Sequence, residues 1–499
     1  MASLKNSKAA GHDEIPIRFL KAIGLYISDH LTHFFNFCLM NGIFPDRLKI
    51  ARVVPILKGG DKSILGNYRP ISVLSCIATV FEKLIQARLI SFLETNSLLS
   101  TKQFGFRSGL DTNQAMLDVV DKYYHTMDRN CVGCSIFLDL KKAFDTVDHS
   151  ILIYKLSKIG IRGTALDLFK DYLLRRYQSV DISNSKSSFQ PITCGVPQGS
   201  VLGPTLFLIY INDIVNASSF QTTLFADDTH LFASAKNITE LQNIVNCEMV
   251  NICAWLHSNK LSINPSKTKL LLINNHVHRG INFNIRLHNA TIYPNSEAKY
   301  LGVLIDNNLS WKAHVELLVS KLSRGVGVLF RLSNFLPSDT LRMLYFSLVH
   351  SHLRYGILLW GFSNKSLLYR LQILQNKAIR SLSRTSRYTN MKKIFKSLRI
   401  LRVTELRDFE LAKFMYYHFH GLLSSNFHFY FKSANIVHGY NTRFASTHSY
   451  FVPSVTREKC KNSVKFAGVR IWNTIPENIR NQSLRCFKIS LIDYILNSE

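Results

Sequence analysis

The chain has 499 residues, 46 % of them hydrophobic, which is more than one core organises and predicts about two to four subdomains. Lys and Arg number 61 against 33 acids, a net charge of +28, so a polyanionic partner is expected, nucleic acid ahead of a membrane surface or scattered basicity. Nine irregularly spaced cysteines, no apolar leader and no apolar run of membrane-spanning length exclude a disulfide scaffold and a membrane channel and predict an intracellular protein, nuclear or cytoplasmic.

In chain order, Ile17, Leu20 and Ile23, then Leu31, Phe34 and Phe35, recur at helical spacing until Gly42 and Pro45. A short apolar run, Val53 to Leu57, is interrupted by Pro55 and followed by Lys58-Gly-Gly-Asp61 and Asn67-Tyr-Arg-Pro-Ile-Ser72. Lys58 and Arg69 beside glycines suit a loop that grips phosphates, Arg as a bidentate fork and Lys as a point charge, although an ordinary turn has the same composition. Residues 77 to 93 form an amphipathic helix, and Gln103-Phe-Gly-Phe-Arg-Ser-Gly109 is a loop carrying another Arg. Cys131-Val-Gly-Cys134 has no second cysteine pair nearby and reads as small residues leading into a strand, not a zinc site.

Ser135 to Leu140 reads as a strand with an acid, Asp139, inside an apolar run, a costly placement unless that acid is paired or metal-bound. Helix over 150 to 174 and strands over 177 to 193 precede Gly195-Val-Pro-Gln-Gly-Ser-Val-Leu-Gly-Pro204, a glycine-rich turn into an apolar helix from Thr205 to Ile214. Leu224-Phe-Ala-Asp-Asp-Thr-His-Leu-Phe232 is written as a β-hairpin with two acids, Asp227 and Asp228, at its tip. Neighbouring anions repel, and a cation such as Mg²⁺ would relieve them; an Asx-rich surface turn is the bland alternative. Asn237 with Glu240 opens a helix that runs to His257. Leu261 to Lys269 is a basic turn before the strand 270 to 273, and Lys299 to Asp306 reads as one further strand. Long helices follow, 315 to 332 and then from Pro337. From Lys365 to Arg402 there are eleven Lys or Arg and no acid, with apolar residues still at helical spacing, so this block is a folded basic helical region.

Asp139, Asp227 and Asp228 could converge as three carboxylates on one sheet of a basic protein, which suits a two-metal clamp for attack of a hydroxyl on a phosphate. In its motifs the chain resembles the reverse transcriptases of non-LTR (LINE-type) retrotransposons, in the jockey-like branch. Phe-Leu-Asp-Leu-Lys-Lys-Ala-Phe-Asp-Thr-Val-Asp-His149, the Gly195 to Pro204 string, Phe-Ala-Asp-Asp-Thr229 and Lys-Tyr-Leu-Gly-Val303 occur in family order, preceded by the Asn67 to Ser72 and Gln103 to Arg107 strings. The resemblance covers about residues 8 to 306 strongly and continues loosely to Gly468-Val-Arg-Ile-Trp-Asn-Thr-Ile-Pro476.

That resemblance implies an α+β right-hand polymerase. Residues 1–130 would be the fingers and N-terminal block, 131–306 the palm, an antiparallel sheet with helices, 307–400 a basic helical thumb, and 401–499 a C-terminal region without an assigned role, the reverse transcriptase domain as a whole spanning about 38–306. It implies metal ligation by Asp139, Asp227, Asp228 and the Leu140 carbonyl, with two Mg²⁺ as cofactors and Mn²⁺ as the alternative ion. Phe144 would reject a ribose 2′-hydroxyl. Gln198 and Gly199 would line the incoming nucleotide, Arg69 and Lys58 would hold its triphosphate, and Lys267 or Lys269 would stand near the leaving phosphate. Tyr300, Leu301 and Gly302 would form the primer grip. The expected partners are an RNA template, a DNA primer or target, and deoxynucleoside triphosphates. The opening block, Lys8-Ala-Ala-Gly-His-Asp-Glu-Ile-Pro16, departs from the family pattern by Ala10, His12 and Glu14 in place of Pro, Pro and Gly. With no residues ahead of that block for an endonuclease, the chain is expected to polymerise and not to nick its target. A truncated relic that binds nucleic acid without catalysing anything is the alternative.

Overall fold

Helical periodicity near the N-terminus is realised as α1 (Ile17–Ala22) and α2 (Gly24–Asn41). Gly42 stops α2 at φ +65°, a left-handed cap that glycine adopts without a Cβ penalty. The computed structural model describes residues 9–182, 185–273, 283–287, 290–386, 388–434 and 450–497. The expectation of no signal sequence, which rests on residues 1–8, and Arg387 of the basic block lie outside the described residues.

β1 (Ile50–Leu57) and β2 (Tyr68–Val73) follow, then α3 (Cys76–Thr95), α4 (Thr112–Asp128), β3 (Val132–Leu138), α5 (His149–Lys158) and α6 (Gly163–Leu173). Next come β4 (Arg176–Ile182), β5 (Ser185–Lys186), β6 (Gln190–Ile192), α7 (Leu202–Ile211), β7 (Gln221–Phe225), β8 (Asp228–Ala235), α8 (Ile238–Ser258) and β9 (Lys269–Ile273). Two small hairpins, β10 (Ile285–Leu287) with β11 (Ala290–Ile292) and β12 (Glu297–Tyr300) with β13 (Val303–Asp306), lead into α9 (Lys312–Leu332). The helices described after it are α10 (Ser338–Tyr345), α11 (Ser351–Arg354), α12 (Ile357–Trp360), α13 (Lys365–Ser383), α14 (Met391–Ser397), α15 (Val403–Phe419), and C-terminal helices Val464–Thr474, Glu477–Arg480 and Leu484–Asn497.

Two sheets organise this α+β chain. One runs β2-β1-β4, with β5 and β6 on β4. Pro55 sits in β1 without breaking it because the parallel pairing of β1 with β4 ends at Val53, and opposite Pro55 stands Pro70, which also has no N–H to offer. The other is antiparallel, in the order β7-β8-β3-β9. All seven residues of β3 are buried, as a central strand covered on both faces requires. Alternation sends Ile136 and Leu138 into a core shared with α3, α7 and α8, and Phe137 into a second core shared with α4, α9 and the C-terminal helices.

The helix α4 was not read from the sequence, although its buried Met116, Val119, Val120, Tyr123 and Met127 recur at helical spacing. Lys299 to Asp306 is a hairpin, not the single strand expected: Leu301 and Gly302 both take positive φ, 44° and 86°, the signature of a two-residue turn. Residues 450–497 are built into the fold. Asp128 Oδ1, at the end of α4, accepts from the Thr456 amide at 2.7 Å and its hydroxyl at 2.8 Å, Lys465 pairs with Asp121 at 2.7 Å, and Phe487 stacks on Tyr416 of α15 at 4.2 Å. The basic block is partly spent internally: Arg384 donates to the Ser333 and Leu336 carbonyls, Arg399 pairs with Asp493 and Arg402 with Glu405. Among the described residues no helix is long and apolar enough to cross a membrane.

Candidate active site

The antiparallel register decides where the acids go. Leu138 pairs with Thr229, so one step further along the ladder Asp139 lies level with Asp228. Phe137 and His230, two residues back on each strand, share a face with rings 5.0 Å apart, and the period of two puts Asp139 and Asp228 on that same face. Phe225 pairs with Asp228, leaving Ala226 and Asp227 as the whole turn. Asp139 is fixed from the other side as well: its amide donates to Thr268 Oγ1 at 3.3 Å and its carbonyl accepts from the Asn264 amide at 2.7 Å. An isolated bridge pairs Leu140 with Ile263, flanked by the Asn264 bond and a Lys141 amide bond to Ser262. This is the non-hydrogen-bonded type of pair, so the Leu140 carbonyl is directed away from that neighbour.

Asp139, Leu140, Asp227 and Asp228 all line one cleft of about 1480 Å³. Asp227 and Asp228 are exposed, yet the cleft walls hold back solvent. That burial, with the charges of Asp227 and Asp139 added, pushes Asp228 up to about 6. Asp227 is also raised, by burial first and then by Asp139, with Arg69 opposing. Two acids raised by their neighbours' charge present the pattern a divalent cation relieves, and carboxylates with a backbone carbonyl are the donors Mg²⁺ and Mn²⁺ favour. Among the described residues, no three His, Cys, Asp or Glu side chains stand at the spacing of a metal cage; the donor set fits such an ion in kind.

The same cleft collects Lys58, Arg69, Phe144, Gln198, Gly199 and Lys267. Lys58 and Arg69 stand at opposite ends of the β1-β2 loop and are exposed. Phe144 is half-buried and stacked on Phe207, centroids 4.4 Å apart. Gln198 donates to Asp145 Oδ1 at 3.1 Å, and its carbonyl accepts from the Ser72 amide at 2.7 Å. Gly199, at φ +118°, puts its Cα against the Ser72 carbonyl, where an added Cβ would lie 2.5 Å away. The close approach this glycine permits is thus to the protein's own β2, which ties the Gly195–Pro204 turn to the Asn67–Ser72 string. Lys267 lines the cleft, whereas Lys269 lies within β9 opposite Phe137.

The Tyr300 side chain is turned into the core, 3 % exposed, against Phe137 and His230, and burial raises its hydroxyl pKa well above the usual value. Tyr355 fixes the turn at Leu301 and Gly302 by donating to the Leu301 carbonyl at 2.5 Å. Cys131 and Cys134 are not joined in a disulfide.

Three supporting residues were not singled out in the sequence. Asp145, whose carboxyl is raised chiefly by burial, orients Gln198. Glu82, fully buried and raised by burial against the opposing charge of Arg176, accepts from the Val201 amide at 2.6 Å and so anchors the N-terminal end of α7. Gln103 lies behind the Asp227 turn, its side-chain oxygen accepting from the Ala226 amide. Asp145 and Gln103, each inside a motif string, carried a signal of place but not of role; Glu82 became meaningful only with its partners in view.

The family described as reverse transcriptase (RNA-dependent DNA polymerase) matches residues 56–305, half of the chain and the whole of the cleft's motif set. The chain belongs to the reverse transcriptase family. Among its relatives, the probable RNA-directed DNA polymerase from transposon BS of Drosophila melanogaster is 29 % identical over 81 % of this chain and 46 % of the relative. The RNA-directed DNA polymerase from mobile element jockey of the same fly is 28 % identical over 83 % of this chain and 46 % of the relative. Apo telomerase from Candida tropicalis, a solved structure, aligns over 77 % of this chain and 67 % of its own with TM-score 0.41 and 12 % identity. This reverse transcriptase chain spans about half the length of the curated relatives it matches. The non-LTR retrotransposon resemblance read from the motifs holds in these relatives.

Proposed function

We propose that the chain is an RNA-directed DNA polymerase that extends a primer 3′-hydroxyl with deoxynucleotides. The observation that carries the reading is the register placing Asp139 level with Asp228 at the mouth of a cleft that also holds two loop cations and the Gln198 turn. The sheet β7-β8-β3-β9, with α4 and α8 on its faces, serves as the palm, β1 and β2 as the fingers, and the helices from α9 through α14 as the thumb.

In the reaction the primer 3′-oxygen forms a bond to the α-phosphorus of the incoming triphosphate as the bond to the bridging oxygen breaks and pyrophosphate leaves. Two divalent ions, Mg²⁺ or Mn²⁺, would be held by Asp139, Asp227, Asp228 and the Leu140 carbonyl, and would supply activation of the hydroxyl and neutralisation of the leaving oxygens. Arg69 and Lys58 attract and orient the triphosphate from the fingers side, and Lys267 meets the departing pyrophosphate. Phe144 presents its ring edge where a 2′-hydroxyl would sit. Gln198, held by Asp145, lies under the base and sugar. The Leu301-Gly302 turn supports the primer end.

Purified protein given an annealed DNA primer on RNA and on DNA templates, side by side, is expected to incorporate deoxynucleotides with the RNA template, and Asp227→Ala to abolish incorporation. Equal incorporation by the variant refutes the assignment. Steep salt-dependent binding with no extension by the wild-type protein would favour the binding relic.

A further inference from the structure

Asp227 stands on a two-residue turn whose first residue, Ala226, is buried and at φ +56°, a left-handed backbone that glycine, asparagine or aspartate normally supplies in such hairpins. Something outside the hairpin must hold it there. The segment that does so is the Gln103 string. It lies along the free edge of β7, with the Leu224 amide donating to the Lys102 carbonyl at 2.9 Å and the Phe104 amide donating to the Leu224 carbonyl at 2.8 Å. Beyond Leu224 the backbone ladder stops and a side chain replaces it: Gln103 Oε1, fully buried, accepts from the Ala226 amide at 3.0 Å and from the Gly105 amide at 2.8 Å. Gly105 makes the approach possible, since a Cβ there would collide with the Ala226 amide nitrogen. The outer end of the segment is staked by Arg107, which forks onto Glu94 at 3.0 and 2.7 Å and donates to the Ser100 carbonyl at 2.8 Å.

We infer that Gln103 is a positioning residue for the polymerase centre: by accepting from the Ala226 amide it fixes the left-handed turn from which the Asp227 carboxylate reaches the cleft. The residue type follows from the geometry. Two converging amides need one buried acceptor; a glutamate would bring a further charge beside an already crowded set of acids, and a methionine of similar length offers only a weakly accepting thioether to the buried donors. The Gln103 Nε2 makes no hydrogen bond among the described residues, so the oxygen is what the side chain contributes. Gln103 acts through Ala226 and touches neither substrate nor reacting atoms.

The inference rests on the polymerase reading, and its test separates the two. Full-length Gln103→Met is compared with wild type in primer extension, in template-primer binding, in Mn²⁺ binding by electron paramagnetic resonance without substrate, and in hydrogen exchange of the 224–228 segment. The expected results are a kcat lower by about tenfold or more at saturating nucleotide, template-primer Kd within about twofold, and exchange of the turn faster by about tenfold with the sheet still protected. Mn²⁺ should bind several-fold more weakly. Ala226→Gly placed in the Gln103→Met background recovers part of the kcat, because glycine holds φ +56° unaided; a loss from general misfolding would not be recovered. Wild-type kcat with unchanged exchange in Gln103→Met overturns the inference, as does a loss confined to template-primer binding. If the wild-type protein extends no primer, the polymerase reading fails, and the exchange and Mn²⁺ comparisons still decide whether Gln103 holds the turn.

Discussion

Replacing His314 by Asn should make the protein more resistant to acid, by an amount the structure sets. His314, in the first turn of α9 and 3 % exposed, accepts from the Leu304 amide of β13 through Nδ1 at 3.3 Å. Burial, helped by the charge of Lys321, pushes its pKa from 6.5 down to about 4. Between those values the unfolded chain takes up a proton that the folded chain refuses, so stability is intact at neutral pH and falls as pH falls through the window from 6.5 to about 4. From pH 7 to pH 5 that linkage amounts to about 2 kcal/mol for one such histidine. His350, lowered to about 4 by burial and then Arg354, contributes in the same direction. An asparagine at 314 can keep an acceptor for the Leu304 amide and cannot be protonated. Urea unfolding at pH 7 and pH 5, followed by the fluorescence that buried Trp311 and Trp360 contribute, should show wild type losing about 2 kcal/mol more than His314→Asn between the two conditions. Equal losses in the two proteins would refute the reasoning.

Phe144→Ala removes the ring stacked on Phe207 and should raise the ratio of ribonucleotide to deoxynucleotide incorporation by about tenfold or more, read from single-nucleotide extension; an unchanged ratio removes Phe144 from sugar selection. Gly199→Ala forces a Cβ to within 2.5 Å of the Ser72 carbonyl and should raise the KM for nucleotide several-fold with template-primer binding intact. Reversing Lys365, Arg370 and Lys377, exposed on α13, should make the slope of log affinity against log salt shallower by about 2 to 3; an unaltered slope would assign these charges to solubility.

Patterns carried by one element were legible in the sequence. The helical stripe of α8 and its Asn237 cap, which accepts from the Glu240 amide at 2.8 Å, stand as read, and the hairpin with acids at its tip is where the turn chemistry put it. Patterns shared between elements were not. A strand tolerates Pro55 because of where β4 stops, which no local rule contains. Tyr300 reads as part of a ligand contact in a motif string, yet an aromatic beside a buried sheet packs inward, and it does so here against Phe137 and His230. Gln103 opens a motif string whose purpose is hidden until β7 is laid beside it. The eleven-cation block reads as one electrostatic feature, but three of its members, Arg384, Arg399 and Arg402, cap and pair within the helical region.

The bonds from Thr456 to Asp128 span 328 positions of the chain. Closing so long a loop is slow and entropically unfavourable until other contacts compensate. The helix α4, which packs on β3 and β7, therefore receives this buttress only once residue 456 has been made. A chain cut short of residue 456 would keep the motif strings from Asn67 to Val303 and lose those bonds, so the amides of α4 should exchange faster in it.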